Sequence, residues 1–216
     1  MDENYELNSY IKYEVIHFYK TNKFILIVLF FLTACSSVPK YPQDACKIFS
    51  EKYFYLKYSR EASKKWGVPI SSILAVINKE SSFKRFAKPK RKKVFKIIPY
   101  RRPSSSLGFS QAVNKTLELY KKENKKPRAL RISFKNSSDF IGWYFWKTNK
   151  INKISFTDTR NMYLNYYLGW QAYKNKAYKT DKKAIIFAKN VERQAKIYKN
   201  QLQECKSILK KSYIIF

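Results

Sequence analysis

Residues 67–83 read "GVPISSILAVINKESSF". Gly67 ends whatever helix precedes it, and Pro69 suits the first turn of the next. Ile70, Ile73, Leu74 and Ile77 then recur at i, i+3, i+4 and i+7, the spacing of one helical face. The same stripe continues to Glu80, seven positions after Ile73 and three after Ile77. A carboxylate there, at the C-terminal end of the helix and on its apolar face, is disfavoured as an anion by desolvation and by the helix dipole. The spacing therefore predicts a raised pKa, the property a general acid needs. Eleven Lys and Arg lie between Glu80 and the next acid, Glu118, and they pull the other way. Burial is expected to win, with those cations mostly solvated. A surface Glu in water is the alternative, and the apolar register argues against it.

Working outward, nearly every periodic segment reads as helix. Asp44 is an N-cap candidate for a run to about Lys65, with Cys46, Phe49, Tyr53 and Leu56 at helical spacing. Residues 84–106 are a basic stretch in which Pro89, Pro99 and Pro103 forbid a long helix; it reads as a long loop, functional or disordered. "SLGFSQAVNKTLELYKKE" follows, with Val113, Leu117 and Tyr120 on one helical face. "SSDFIGWYFW" reads as an aromatic helix with Ser138 as N-cap and Asp139 in its first turn. "FTDTRNMYLNYYLGWQAY" caps at Thr157 or Asp158 and runs to Gly169. After Thr180 or Asp181, the residues Ala184, Ala188, Val191, Ala195, Tyr198, Leu202, Cys205 and Leu209 alternate steps of four and three, a packing seam. No internal repeat and no strand is evident. The expected fold class is all-α, a single globular domain over 44–210 with a tail at 211–216.

The formal net charge of +30 implies attraction to something anionic, unless it reflects a general bias toward Lys. The N-terminal segment selects among the partners. Lys20 and Lys23 precede "FILIVLFFLTACSS", whose apolar run from Phe24 to Ala34 is short for a membrane span and suited to a signal-peptide core. A buried core segment is the alternative. The run ends in Leu32, Thr33, Ala34 and Cys35, which resembles a bacterial lipobox. The resemblance implies a signal peptide over 1–34, cleavage before Cys35, lipidation of that cysteine and a short tether over 35–43. Export leaves Cys46 and Cys205 as an even pair in an oxidising compartment, near the two ends of the mature chain; two unpaired buried thiols are the alternative. It also removes His17, the only histidine, which excludes Ser-His-Asp, Cys-His and His-zinc chemistry from the mature chain. Acid–base work then falls to the eleven carboxylates after Cys35.

Three pieces occur in order: "ESSF" (80–83), "SLGFSQ" (106–111) and "YLNYYLGWQAY" (163–173). Together, behind the lipobox and ahead of "QLQEC", they resemble the soluble lytic transglycosylase domain of bacterial lipoproteins, a lysozyme-like helical fold, over roughly Ala45 to Cys205. The resemblance implies that Glu80 is the catalytic residue. It implies that Ser81 bonds the carboxylate or the substrate peptide, that Gln111 faces the glycan and Gly108 allows close backbone approach, and that Tyr166 and Gly169 line the cleft. Phe109 and Ser110 replace the family's usual Leu and Met, Tyr167 replaces its usual Asn, and the loop before Ser106 is longer than in short members.

The implied chemistry needs one acid and no metal or cofactor. Protonated Glu80 donates to the glycosidic oxygen between N-acetylmuramic acid and N-acetylglucosamine, then as carboxylate takes the proton of the muramic 6-hydroxyl as a 1,6-anhydro ring closes. A hydrolase ordinarily needs a second carboxylate; Asp139 and Asp158 are better read as helix-start residues. The implied partners are peptidoglycan glycan strands and, through Cys35, a membrane, with no nucleic acid. The implied location is the periplasmic face of the envelope, on the outer membrane. Lys84 to Arg102 steers toward anionic wall polymer or is simply solvated. Trp143, Tyr144 and Trp146, with Trp170 and Tyr173, stack on sugars or, as is commoner at helical spacing, fill the core. Three rivals remain: a non-catalytic scaffold of the same fold, a muramidase, and a cytoplasmic nucleic-acid binder.

Overall fold

The computed structural model describes residues 38–91, 93–95, 98–100 and 102–206. The expected signal peptide, His17, the lipobox with Cys35, and the tail with Leu209 lie outside the described residues. In chain order the helices are α1 (Ala45–Glu51), α2 (Tyr53–Trp66), α3 (Ile70–Ser81), α4 (Asn114–Glu123), α5 (Phe134–Asn152), α6 (Thr159–Leu168), α7 (Trp170–Lys174) and α8 (Lys182–Glu204), with a 3₁₀ turn at Ala177–Lys179. The all-α reading holds.

α3 is the central element. Every residue from Ser71 to Ile77 is buried, so the helix is covered all round by α2, α5 and α8. α8 presents the predicted seam: Ala184, Ala188, Val191, Ala195 and Tyr198 are buried against α3 and α6. The small residues on that seam let the backbones approach. On the other side α2 packs along α5, where Gly142 permits the contact. A Cβ there would stand 2.5 Å from the Trp66 ring.

The helix starts follow from capping chemistry. Asp44, Asp158 and Asp181 each accept a hydrogen bond from the backbone N–H three residues on, as the sequence suggests. α5 departs from expectation: it starts at Phe134 on the Ser133 cap, so Ser138 and Asp139 lie in its interior, buried. Asp139 is therefore no helix-start residue. The first helical run is also broken, at Lys52 (φ −129°, ψ 67°). The break turns α1 onto α8, where the Ala45 N–H donates to Gln201 Oε1 and Cys46 is bonded to Cys205 across 159 positions.

Two corrections concern the middle of the chain. "SLGFSQ" does not open a helix: α4 starts only at Asn114, and residues 107–112 form a turn closed by a Leu107–Ala112 bridge, leaving Val113 exposed. The long loop contains a short antiparallel ribbon, β1 (Lys93–Val94) with β2 (Ile98–Pro99), paired Lys93 with Pro99 and Val94 with Ile98. Pro99 is tolerated because the ribbon is all edge.

The cross-link closes nearly the whole described chain. In the chain-entropy view its loss costs about 2–5 kcal/mol. Reduction, or Cys46→Ser, is expected to lower the melting temperature of the protein, measured by calorimetry; unchanged melting in both would show that the bond does not constrain the fold.

Candidate active site

α3 runs apolar to Ile77 and then ends abruptly. Ser82 caps it in the left-handed conformation (φ 49°, ψ 41°), its N–H donating to the Asn78 carbonyl. Phe83 is left-handed as well (φ 60°) and is 1 % exposed. Two consecutive non-glycine residues in this region are costly, and they persist only where packing dictates them. Here Tyr55 supplies that packing. Its ring stacks on Phe134 at 3.6 Å and lies near Phe83 and Phe109. The "ESSF" motif is thus a helix end pinned by an aromatic cluster, and the pin sets where Glu80 sits.

Glu80 is partly buried in the last turn of α3. Tyr163 on α6 donates its hydroxyl to Glu80 Oε1 at 2.8 Å. Burial pushes the Glu80 carboxyl up to about 7, against the opposing pulls of the Tyr163 hydrogen bond and the Lys79 charge. Burial outweighs charge at this carboxyl, as predicted, but the opposing cation is Lys79 rather than one of the eleven downstream Lys and Arg. Tyr163 was not singled out by the sequence reading. Its position three residues before Tyr166, one turn back on the same face, was the available signal.

The other implied residues fall around this pair in different ways. Tyr166 donates its hydroxyl to the Ser110 carbonyl at 2.5 Å, and burial together with the Glu80 charge raises its pKa well above the ordinary value. With Tyr167, Gly169, Gln111, Tyr144 and Phe140 it lines a cavity of about 270 Å³ beside α6. Gly169 ends α6 at φ +88° with open space where a side chain would stand. Gln111, itself left-handed at φ 49°, turns its amide inward. Its Nε2 donates to the carbonyls of Ala87 and Gly108, both at 2.9 Å, and its Oε1 accepts from Ser106. It staples the start of the basic loop to the motif turn. Gly108 (φ +76°) makes its close approach to protein rather than to glycan, since a Cβ would lie 2.1 Å from the Arg131 carbonyl oxygen. The Ser81 hydroxyl donates back to the Ile77 carbonyl at 2.9 Å. It buttresses the helix end.

The aromatic residues divide. Trp143 and Tyr144 are core: Trp143 Nε1 donates to Glu123 Oε2, and the Tyr144 hydroxyl donates to the Asn165 carbonyl. Tyr144 stacks on Trp170 (4.5 Å) and presents an edge to the cavity, while Trp146 packs against Trp66. Asp139, more deeply buried than Glu80, receives hydrogen bonds from Tyr120, Lys126, Lys65 (3.3 Å) and Trp66 Nε1 (2.8 Å). Burial alone would raise its carboxyl, but the hydrogen bonds from Lys126, Tyr120 and Trp66 outweigh it and hold the group below the usual range. It has neither a proton to give nor a free lone pair to receive one. Asp158 is a helix cap, as expected. Among the described residues no cluster of three His, Cys, Asp or Glu could hold a metal ion.

The site therefore pairs a neutralisable carboxyl with a tyrosine hydroxyl; neither lines the aromatic cavity, and Tyr166, which does and which feels the Glu80 charge, is the link between them. A family model described as "Transglycosylase SLT domain" matches residues 23–205 of the chain. Comparison with curated proteins finds no match.

The raised Glu80 pKa has a signed consequence for stability. Below about pH 4.5 the group is protonated folded and unfolded; between there and about 7 the unfolded chain ionises first, so stability falls as pH rises through that window. Glu80→Gln lacks this loss. Its stability relative to the natural protein is expected to grow from pH 4 to pH 7.5 in urea titrations; a gap that does not change with pH would mean that Glu80 ionises normally.

Proposed function

The chain belongs to the transglycosylase SLT domain family, and on that premise we propose that it is a peptidoglycan lytic transglycosylase in which Glu80 serves as both acid and base. The observation that carries the reading is the Glu80–Tyr163 pair at the pinned end of α3. With a carboxyl near 7, both protonation states are populated at neutral pH, as a group that must first give and then take a proton requires.

The proposed sequence uses one carboxyl twice. Neutral Glu80 passes its proton to the oxygen linking N-acetylmuramic acid to N-acetylglucosamine, and that bond breaks. The muramic 6-hydroxyl then attacks the anomeric carbon, and the Glu80 carboxylate removes its proton. The nucleophile is held within the same sugar, so the second step needs no positioned water. Tyr163 donates to the carboxylate in the interval, which limits the rise that burial imposes and keeps the group able to release its proton. The cavity lined by Tyr166, Tyr144 and Phe140 offers ring faces and edges to sugar. Gln111, Gly108 and Ser81 shape this floor from within; their hydrogen bonds and close approaches are to the protein's own backbone.

Asp139 supports a single-acid scheme, because two lysines and a tyrosine engage it. Digestion of purified sacculi tests the scheme. The natural protein is expected to release soluble 1,6-anhydro muropeptides, and Glu80→Gln to lose at least about a hundredfold in rate. Products ending in reducing sugars would mean hydrolysis instead, and no release by the natural protein would mean a wall-binding member without turnover.

We also infer that the enzyme is tethered at Cys35 on the periplasmic face of the outer membrane. The "LTAC" motif supports this, and so does the Cys46–Cys205 bond, which suits an oxidising compartment. Labelled palmitate is expected to enter the natural chain and not Cys35→Ala; equal labelling of the two would remove the anchor.

A further inference from the structure

α3 has a second face that lines a cavity. Glu80 lies on one side of the helix, continuing the line of Ile73 and Ile77. By the 100° step of the helix Ala75, Asn78 and Ser82 fall on the other side, with Lys79 between them and Glu80. There they form one wall of a cavity of about 480 Å³, open to solvent, whose opposite wall is Asn190, Val191, Arg193 and Gln194 of α8, with Gln43 at its end.

The lining is chemically one-sided. It holds two cations, Lys79 and Arg193, four carboxamides, Gln43, Asn78, Asn190 and Gln194, and no acid. Among the described residues neither Lys79 nor Arg193 has a carboxylate within salt-bridge distance. The nearest Arg193 partner is Asn190 Oδ1 at 3.4 Å, and Lys79 stands over the Phe187 ring. Burial depresses Lys79 from its ordinary pKa; the Glu80 charge opposes that and Lys183 adds to it, so Arg193 is the cation of the pair with no acid acting on it among the described residues. A negative ligand is what this arrangement lacks. The carboxamides are already ordered: Asn78 Nδ2 donates to Gln43 Oε1 (3.3 Å) and to the Tyr198 hydroxyl (2.9 Å), and Gln194 Nε2 donates to the Gln43 carbonyl (3.4 Å). A row of groups that each donate and accept matches peptide N–H and C=O.

We propose that this groove binds a carboxylate-bearing peptide, the stem peptide of peptidoglycan, with Arg193 and Lys79 on the carboxylate and the carboxamides along the peptide bonds. The proposal rests on the wall-polymer reading of the Glu80 site. Asn78 and Arg193 stand away from Glu80 and Lys79 borders it, so the peptide lies beside the sugar being cut. It fastens the enzyme to the wall beside the strand in the cleft.

Calorimetric titration of the full-length Glu80→Gln protein with free stem tetrapeptide tests the groove without turnover. Saturable binding is expected, weakened about tenfold or more in Arg193→Ala, where a charge-assisted contact is lost, while that variant, altered at an exposed position, keeps its melting temperature. Inorganic phosphate and acetate serve as the comparison arms. No saturable binding, binding unaffected by Arg193→Ala, or phosphate bound as tightly as peptide would each overturn the proposal. Turnover separates the two readings. Arg193→Ala is expected to slow digestion of intact sacculi but not of glycan strands stripped of peptide, and equal slowing on both would overturn the groove. If the peptide binds while no glycan is cut, the groove stands and the transglycosylase reading falls.

Discussion

A helix buried on every side must end somewhere, and where α3 ends decides the rest of this molecule. Seven consecutive residues, Ser71 to Ile77, are out of water, so α3 can neither slide nor rotate without disturbing α2, α5 and α8 together. Its last turn inherits that rigidity. Ser82 and Phe83 take left-handed backbone because the chain has to leave at once, and Phe83 is wedged against Tyr55 in the aromatic cluster. Glu80 is therefore carried on a fixed support, and the Tyr163 hydrogen bond holds its carboxyl.

The two buried acids show how environment divides one chemistry into two tasks. Glu80 meets burial and a helix C-terminus, relieved by one tyrosine hydroxyl and a neighbouring lysine, and it stays largely protonated toward neutrality. Asp139 meets burial as well, but two ammonium groups, a phenol and an indole N–H converge on it, and it remains an anion. The second arrangement ties α2, the α4 region and α5 together; removing any one partner leaves charge unpaired in a dry place. The first is poised to exchange a proton. In the proposed reaction only the first can act.

The floor beside Glu80 is built by backbone turns. Gly108, Gln111 and Gly169 all adopt positive φ, and Gln111 uses its amide to tie Ala87, Ser106 and Gly108 together. The basic loop is thereby rooted at the cleft. Phe95, 86 % exposed, and the paired ribbon extend beyond that root. Gly108 packs against the Arg131 backbone, while Gln111 and Gly169 line the cavity together with Tyr144 and Tyr166.

Much of this was legible in the chain. Periodicity located the helices, because a 3.6-residue repeat of apolar side chains is imposed by the core on any packed helix. It placed Glu80 on the buried stripe, and the α8 seam together with Cys46 anticipated the cross-link. Other features were not legible, each for the same reason. Asp139 looked like a cap because Ser138-Asp139 is local cap chemistry, yet its role is set by Lys65, Lys126 and Tyr120, up to 74 positions away. Tyr163 reaches Glu80 across 83 positions. The carboxamides and cations of the α3–α8 groove come from three separate segments. Local pattern determines which residues face inward. Which residue they then meet is decided by helix packing, and on that meeting depend the Tyr163–Glu80 hydrogen bond, the cluster around Asp139 and the displaced pKa values of both acids.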